Sequence, residues 1–412
     1  MTSSTRTVPD LTSPLTHLPA DGLEEVWADL RRDDPVHWHP GTEDTPGFWV
    51  VTRHRDVAAV LRDSARFTSE RGNVLATMMH GGDSGAGRML AVTDGEHHTA
   101  LRTLLLRAFS PRALEGVVQQ VRRTTRRLLL EALERGRCDF AQDIASHVPL
   151  ATICDLLAVP ESDREHILTL TKSALASDYA QPEAGEDRLA RGELLLYFHE
   201  LVQHRRRYPG DDVISLMATE PAGAAFLDDD DIVLNCYSLI MGGDETSRLS
   251  MIGAVRTLAH DPEQWSALST GSAPLKEATE EVLRWTTPTL HFGRVATEKV
   301  TLHDRTIAAG DLVTLWLCAA NRDESVFDEP YRFDLLRSPN KHLTLGYGPH
   351  FCLGAYLGRV EINAMLDGLR TFVGSIEQTG DEKRIYSNFL SGISSLPITV
   401  TPRPDASRQW QD

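Results

Sequence analysis

Apolar residues recur at helical spacing through most of this chain, and strict two-residue alternation is confined to short patches. The spacing predicts helices over 22–32, 53–61, 114–133, 144–157, 162–175, 188–207, 228–260 and 273–285, with another opening at Asp94. Several ends are marked by residues that cannot continue a helix: Pro160, Pro209 with Gly210, and Pro262. Strands are predicted at 36–38 and 48–52, in 300–313 with a hairpin break at Gly310–Asp311, and in a C-terminal hairpin over 388–400. The fold class that follows is mainly α with a minor β region.

Three stretches depart from plain periodicity. Residues 71–91 scatter five glycines among Val74, Leu75, Met78 and Met79, and so long a loop is either functional or disordered. The 228–260 segment starts on four aspartates, which suit a helix N-terminus, and would run about 50 Å at 1.5 Å per residue. Its middle reads Met241-Gly242-Gly243-Asp244-Glu245-Thr246-Ser247. Two helix-interior glycines cost about 1 kcal/mol each against alanine, so they imply a close approach or a kink. Thr246 or Ser247 can draw a carbonyl out of the ladder. The third stretch, 343–359, is Leu-Thr-Leu-Gly-Tyr-Gly-Pro-His-Phe-Cys-Leu-Gly-Ala-Tyr-Leu-Gly-Arg. Here a glycine loop presents Cys352 just ahead of a helix, where backbone N–H groups favour a thiolate and hence a metal.

The 343–359 stretch resembles the cysteine loop of the cytochrome P450 family. It matches at Gly346, Gly348, His350, Cys352 and Gly354, and it departs from the pattern at Leu345, where the family has Phe. Gly242 to Ser247 resembles the family's Ala-Gly-x-Glu-Thr-Thr segment, with Gly242 for Ala and Ser247 for the last Thr. Asp94 to Pro111 contains the family's His-x-x-x-Arg as His98 and Arg102, and Glu281 with Arg284 matches its Glu-x-x-Arg. The motifs stand in family order over nearly the whole chain.

The resemblance implies a triangular, mostly helical fold with a long central helix over haem b. Cys352 would ligate the iron, and His98, Arg102, Arg294 and His350 would meet the propionates. Gly243, Leu345, Gly346 and Gly354 would line the cofactor, and Glu245 with Thr246 would pass protons to dioxygen. It places Met78, Met79, Met241, Gly242, Thr289, Leu290, Leu390 and Ser391 at the substrate pocket. Glu281, Arg284 and Arg332 would form a buried structural cluster. The implied activity is oxidation of a small organic molecule, a natural-product intermediate, with electrons from a separate ferredoxin and its reductase. Whether that molecule is free or carrier-bound stays open. So does oxygen insertion against C–C or C–O coupling; a non-catalytic haem sensor is the reading from another class.

Composition narrows the partners. The formal charge of −17 over 412 residues argues against nucleic acid or an anionic membrane. No apolar run reaches spanning length, and residues 1–18 lack a signal-peptide core, so a cytoplasmic monomer is expected. The five cysteines form no CxxC pair, which speaks against structural zinc or a disulfide framework. The expected organisation is a flexible arm over 1–20, one catalytic domain over 21–402 and a flexible tail over 403–412.

Overall fold

The computed structural model describes residues 7–18, 23–175 and 185–404. Much of the turn expected at 176–187, and the tail beyond residue 404, lie outside the described residues.

The helical reading stands with ends moved by up to three residues. Helices run Glu24–Asp33, His54–Arg62, Gly95–Ala108, Glu115–Arg135, His147–Leu156, Arg164–Leu175, Glu186–Arg207, Asp229–His260, Leu275–Thr286 and Ala355–Phe372. The central helix, Asp229–His260, is unbroken through its glycines. Asp228 caps it by accepting from the Asp231 backbone N–H, while the Asp231 side chain accepts from Asp228 N–H, so two orphan donors are satisfied at once. Burial of Ile232, Ile240, Leu249, Met251, Ile252 and Val255 embeds this helix among His147–Leu156, Glu186–Arg207 and Leu275–Thr286. Ala355–Phe372 packs on Glu115–Arg135, where Gly368 makes the room: a Cβ there would lie 2.5 Å from Leu129 Cδ1.

The main sheet has the order Val36–His39, Phe48–Val51, Leu312–Trp316, His291–Ala296, Phe67–Thr68. Phe48–Val51 and Leu312–Trp316 pair in parallel, Phe48 against Leu312, and the other pairs are antiparallel. Gly310–Asp311 is not a hairpin tip, contrary to the sequence pattern. The hairpin closes earlier, between Val300–Leu302 and Arg305–Ile307, with His303 at φ +54°. Gly310 and Asp311 instead lead the chain into the main sheet, and Asp311 accepts from Trp49 Nε1 at 2.8 Å. Alternation alone did not say which of two polar breaks turns back.

The C-terminal hairpin is also different. Pro397–Pro402 sits between Arg137–Asp139 and Val373–Gln378, and Ile393–Ser395 pairs with Lys383–Arg384. Residues 7–18, expected as part of a loose arm, are docked: Leu11 is fully buried, His17 stacks on Trp316 with centroids 5.7 Å apart, and Asn388 Nδ2 donates to Thr12 O at 2.6 Å. A polar segment with one buried leucine and one stacked ring has no periodicity to betray it.

Candidate haem site

The cysteine loop is held by its backbone. Cys352 N–H donates to Leu345 O at 2.8 Å, and Gly346 N–H to Leu343 O at 2.8 Å. Gly346 and Gly348 have φ of +72° and +76°, and a Cβ on Gly348 would sit 2.8 Å from Arg62 Cα, so glycine is required there twice over. The helix begins at Ala355, three residues past Cys352. Gly354 has ordinary φ, and a Cβ there would meet nothing within 4 Å, so its surroundings are open. Leu345 is half-buried against the large core cluster and contributes the carbonyl that pins Cys352. Cys352 is exposed, and the Gly354 N–H, Arg102 and Arg359 favour its thiolate. Metal coordination, which displaces the thiol proton, completes the thiolate.

Four basic side chains surround the loop. His98 is buried with Nε2 unpartnered, and its ring lies 4.3 Å from that of His350. Burial first, then His350 and Arg102, hold His98 down to about 4, so it is a neutral donor at neutral pH. Arg102 Nη2 donates to Phe351 O at 2.6 Å, tying Gly95–Ala108 to the cysteine loop. Arg294 is 3% exposed, bonds Gly293 O at 2.7 Å and faces no paired carboxylate among the described residues. Burial lowers it to about 10, partly offset by Asp94. His350 is pinned through Nε2 to Asp94 at 2.8 Å, and its Nδ1 is a donor to an anion in the imidazolium form. A buried guanidinium and an orphaned imidazole donor beside an open thiol loop fit a dianionic, iron-bearing ring.

On the central helix the two glycines divide their work differently from expectation. Gly242 is exposed and a Cβ there would meet nothing within 4 Å, so its face of the helix is open. Gly243, expected at the cofactor, faces protein: its Cβ would lie 3.1 Å from Ile153 Cγ1. It is a packing notch against His147–Leu156. Thr246 shares the open face with Gly242, and its Oγ1 donates to Gly242 O at 3.2 Å. Glu245 is fully buried, and its Oε2 accepts from Arg248 Nε at 3.2 Å and from Nη2, both side chains closed to solvent.

Among the expected pocket residues, Met241 is half-buried. Thr289 bridges to Leu390, Leu290 N–H donates to Phe389 O at 2.9 Å, and Ser391 N–H to Pro288 O at 2.8 Å, so the two segments meet. Leu290 and Leu390 are nearly closed off. Met79 is half-buried at the edge of a core cluster. Met78 is core and not lining: it is 3% exposed, packed with Leu75 and Leu290, and its Sδ fills the notch at Gly293.

The structural cluster needs one correction. Glu281 takes Arg284 in bidentate fashion, Nε and Nη2 both at 2.7 Å, with both side chains buried. Arg332 does not join it; its side chain is half exposed and pairs with Glu329 and Glu263, and only its carbonyl accepts from Arg284. The second cation is Arg337, Nε to Glu281 Oε2 at 3.1 Å, with Asn340 Nδ2 at 3.0 Å. Asp94 was also missed as more than a cap. Its carboxylate accepts from Ser69 N–H, Thr68 Oγ1 and His350, and makes no cap bond to its own helix.

A family model for Cytochrome P450 matches residues 274–401. Cytochrome P450 NovI of Streptomyces niveus is 50% identical over 95% of this chain and 96% of its own length. The crystal structure of P450 OxyD, involved in the biosynthesis of vancomycin-type antibiotics, superposes with a TM-score of 0.88 at 36% identity, over 96% of this chain and 100% of that one. P450BioI, solved in complex with a hexadec-9Z-enoic acid ligated acyl carrier protein, superposes at 0.81 with 28% identity, over 91% of this chain and 98% of that one. With half its residues shared with NovI over nearly the full length, and with the thiol loop and basic residues in place, this chain belongs to the cytochrome P450 family and is a haem-b-dependent monooxygenase.

Proposed function

We propose that the chain inserts one oxygen atom from dioxygen into a natural-product intermediate, using electrons from a separate ferredoxin and its reductase. The observation that carries this is the pairing of an open face, Gly242 and Thr246, with a buried acid, Glu245, on the same turn. Haem b, when bound, supplies the activation of dioxygen and the oxidising power. Cys352 Sγ is the atom to hold the iron, and a thiolate there favours O–O cleavage. His98 Nε2, Arg102, Arg294 and His350 Nδ1 would hold the two propionates. Thr246 Oγ1 would hold a proton at the open face, and Glu245 Oε1, the oxygen that Arg248 leaves free, would replace it. Thr289 and Ser391, whose segments are joined by backbone bonds, would form a fixed wall that orients the substrate, backed by the buried Leu290 and Leu390.

The natural-product assignment draws on OxyD, whose pathway yields an antibiotic. A carrier-tethered substrate is the second reading, favoured by the likeness to P450BioI with its loaded carrier protein. No described helix is long and apolar enough to cross a membrane, which suits a water-borne partner and substrate.

The test is turnover under isotopically labelled dioxygen, with free amino and fatty acids and their carrier-protein thioesters as the panel. Spin-state shifts select the binder. A product heavier by one labelled oxygen supports the reading, and preference for the thioester supports the tethered form. A product that has lost two hydrogens and carries no label would replace insertion by coupling.

A further inference from the structure

Leu11 is fully buried, and a histidine meets each of its backbone polar groups. Its N–H donates to His39 Nε2 at 3.3 Å, and its carbonyl accepts from His17 Nε2 at 3.0 Å. These partners fix both tautomers. A carbonyl only accepts, so His39, whose Nδ1 bonds Pro40 O at 3.0 Å, carries its proton on Nδ1 and keeps Nε2 bare for the Leu11 N–H. His17 carries its proton on Nε2, and its Nδ1 is buried with no partner. Both rings are packed flat: His39 stacks on Phe48 with centroids 4.5 Å apart, and His17 on Trp316. One added proton spoils either arrangement. On His39 it would set two N–H donors head to head in a closed site, and on His17 it would bury a donor with no acceptor. Consistently, burial lowers His17 below the ordinary 6.5, against the pull of the Leu11 carbonyl and Asp10.

The titratable groups that act on the pair are Asp10 and His291. Asp10 lies on the strap itself. Burial would raise it, but the Thr12 hydroxyl and N–H, both donating to Oδ1, outweigh that and keep it a carboxylate. His291 comes from His291–Ala296, its ring 4.6 Å from that of Trp316. Burial first, then His17, hold it down to about 3, so it stays neutral and senses nothing between pH 5 and 8. The strap reaches the pocket wall at Asn388, whose Nδ2 donates to Thr12 O at 2.6 Å; the next residue, Phe389, accepts from Leu290 N–H.

We propose that residues 7–18 are an acid-released brace, docked while His17 and His39 are neutral, freed when they gain a proton, and loosening residues 388–391 as they leave. The bracing rests on the reading of the pocket wall given above, and the release does not. A histidine that must be neutral when docked and titrates at about 6.5 when free weakens docking about tenfold between about pH 7.5 and about pH 5.5. Docking is therefore full above the free value and fades as pH falls below it.

The test is hydrogen exchange of the haem-loaded full chain at about pH 7.5 and about pH 5.5, each rate divided by its intrinsic value. Wild type is compared with the double variant H17Q/H39Q, whose amides offer the same hydrogen bonds and do not titrate. In wild type, protection of residues 8–18 should fall at least about tenfold in acid, with 388–391 following and the central helix unchanged. The double variant should hold its protection within about twofold. A wild-type strap equally protected at both pH values overturns the proposal, and so does an equal fall in the variant. A central helix that loosens in step also overturns it, since the whole chain is then unfolding. Release of 8–18 with 388–391 still protected overturns the brace and leaves the wall reading untouched. No readout involves turnover, so the function proposed above stands or falls separately. Should the variant not dock at neutral pH, NMR of the imidazole nitrogens in the wild-type ferrous carbonyl form decides. Nδ1–H on His39 and Nε2–H on His17 at about pH 7.5, both becoming imidazolium at about pH 5.5, uphold the proposal. Any other assignment overturns it.

Discussion

Arg337 and Arg332 lie five positions apart, and only contact with Glu281 separates their roles. Glu281 is fully buried, so each donor removed from it leaves a lone pair without water. Arg337→Ala should cost about 2 kcal/mol of unfolding free energy, the loss of a hydrogen bond to a buried charge. Arg332→Ala, which removes half-exposed pairs with Glu329 and Glu263, should cost at most about 0.5 kcal/mol. Urea unfolding of the two variants reads the difference, and equal losses would return Arg332 to the cluster. Spacing made the pairing of Glu281 and Arg284 legible because positions three apart on one helix share a face, while their burial was read from the apolar neighbourhood and the family resemblance. The third member comes from an irregular meander, where spacing along the chain says nothing of direction. Asp94 was half legible for a related reason: its position as cap was visible, but its partners Ser69 and His350 come from distant segments.

Helices were the most readable elements because burial of one stripe imposes a period over many turns, as in Glu115–Arg135 with Val121, Leu128, Leu129 and Ala132 inside. The division of labour between Gly242 and Gly243 was not readable, since adjacent glycines carry no side chain to show a face. Gly243→Ala must push its Cβ against Ile153, so the alanine's helix preference of about 1 kcal/mol is offset by overpacking of about 1–3 kcal/mol. Gly242→Ala meets nothing and should gain close to the full helical preference, about 1 kcal/mol. Thermal unfolding should therefore rank Gly242→Ala above wild type and Gly243→Ala at or below it. The reverse order would mean that Gly243 and not Gly242 lies on the open face. Short strands were legible as strands and not as partners: the parallel pairing of Phe48–Val51 with Leu312–Trp316 spans most of the chain.

Across the whole molecule, ion pairs fasten helices that sequence places far apart. Glu280 on Leu275–Thr286 accepts from Arg359 Nε at 2.6 Å and Nη2 at 2.9 Å, and from His342 Nε2 at 3.1 Å. Burial would raise this carboxyl, but Arg359 and His342 outweigh it and hold it at about 2, against an ordinary 4.5. A depressed folded value contributes stability above the unfolded one, and that contribution is lost as pH falls through the folded one. The stability gap between wild type and Glu280→Gln should accordingly be full above about pH 4.5 and shrink as pH falls toward about 2. Denaturant unfolding at a series of pH values reads it, and a gap that does not change with pH would deny the pairing. The docked strap of residues 7–18 belongs to this scale too: its value lies in contacts with Trp316 and Asn388, far along the chain, which no local pattern records.

The central claim is that Cys352 Sγ ligates haem iron in a site closed by His98, Arg102 and Arg294. The most direct measurement is the absorption spectrum of the dithionite-reduced protein under carbon monoxide, for wild type and Cys352→Ala together. The account predicts a Soret band near roughly 450 nm in wild type that the variant lacks. A folded wild type with no such band, or a variant that retains it, would contradict the account.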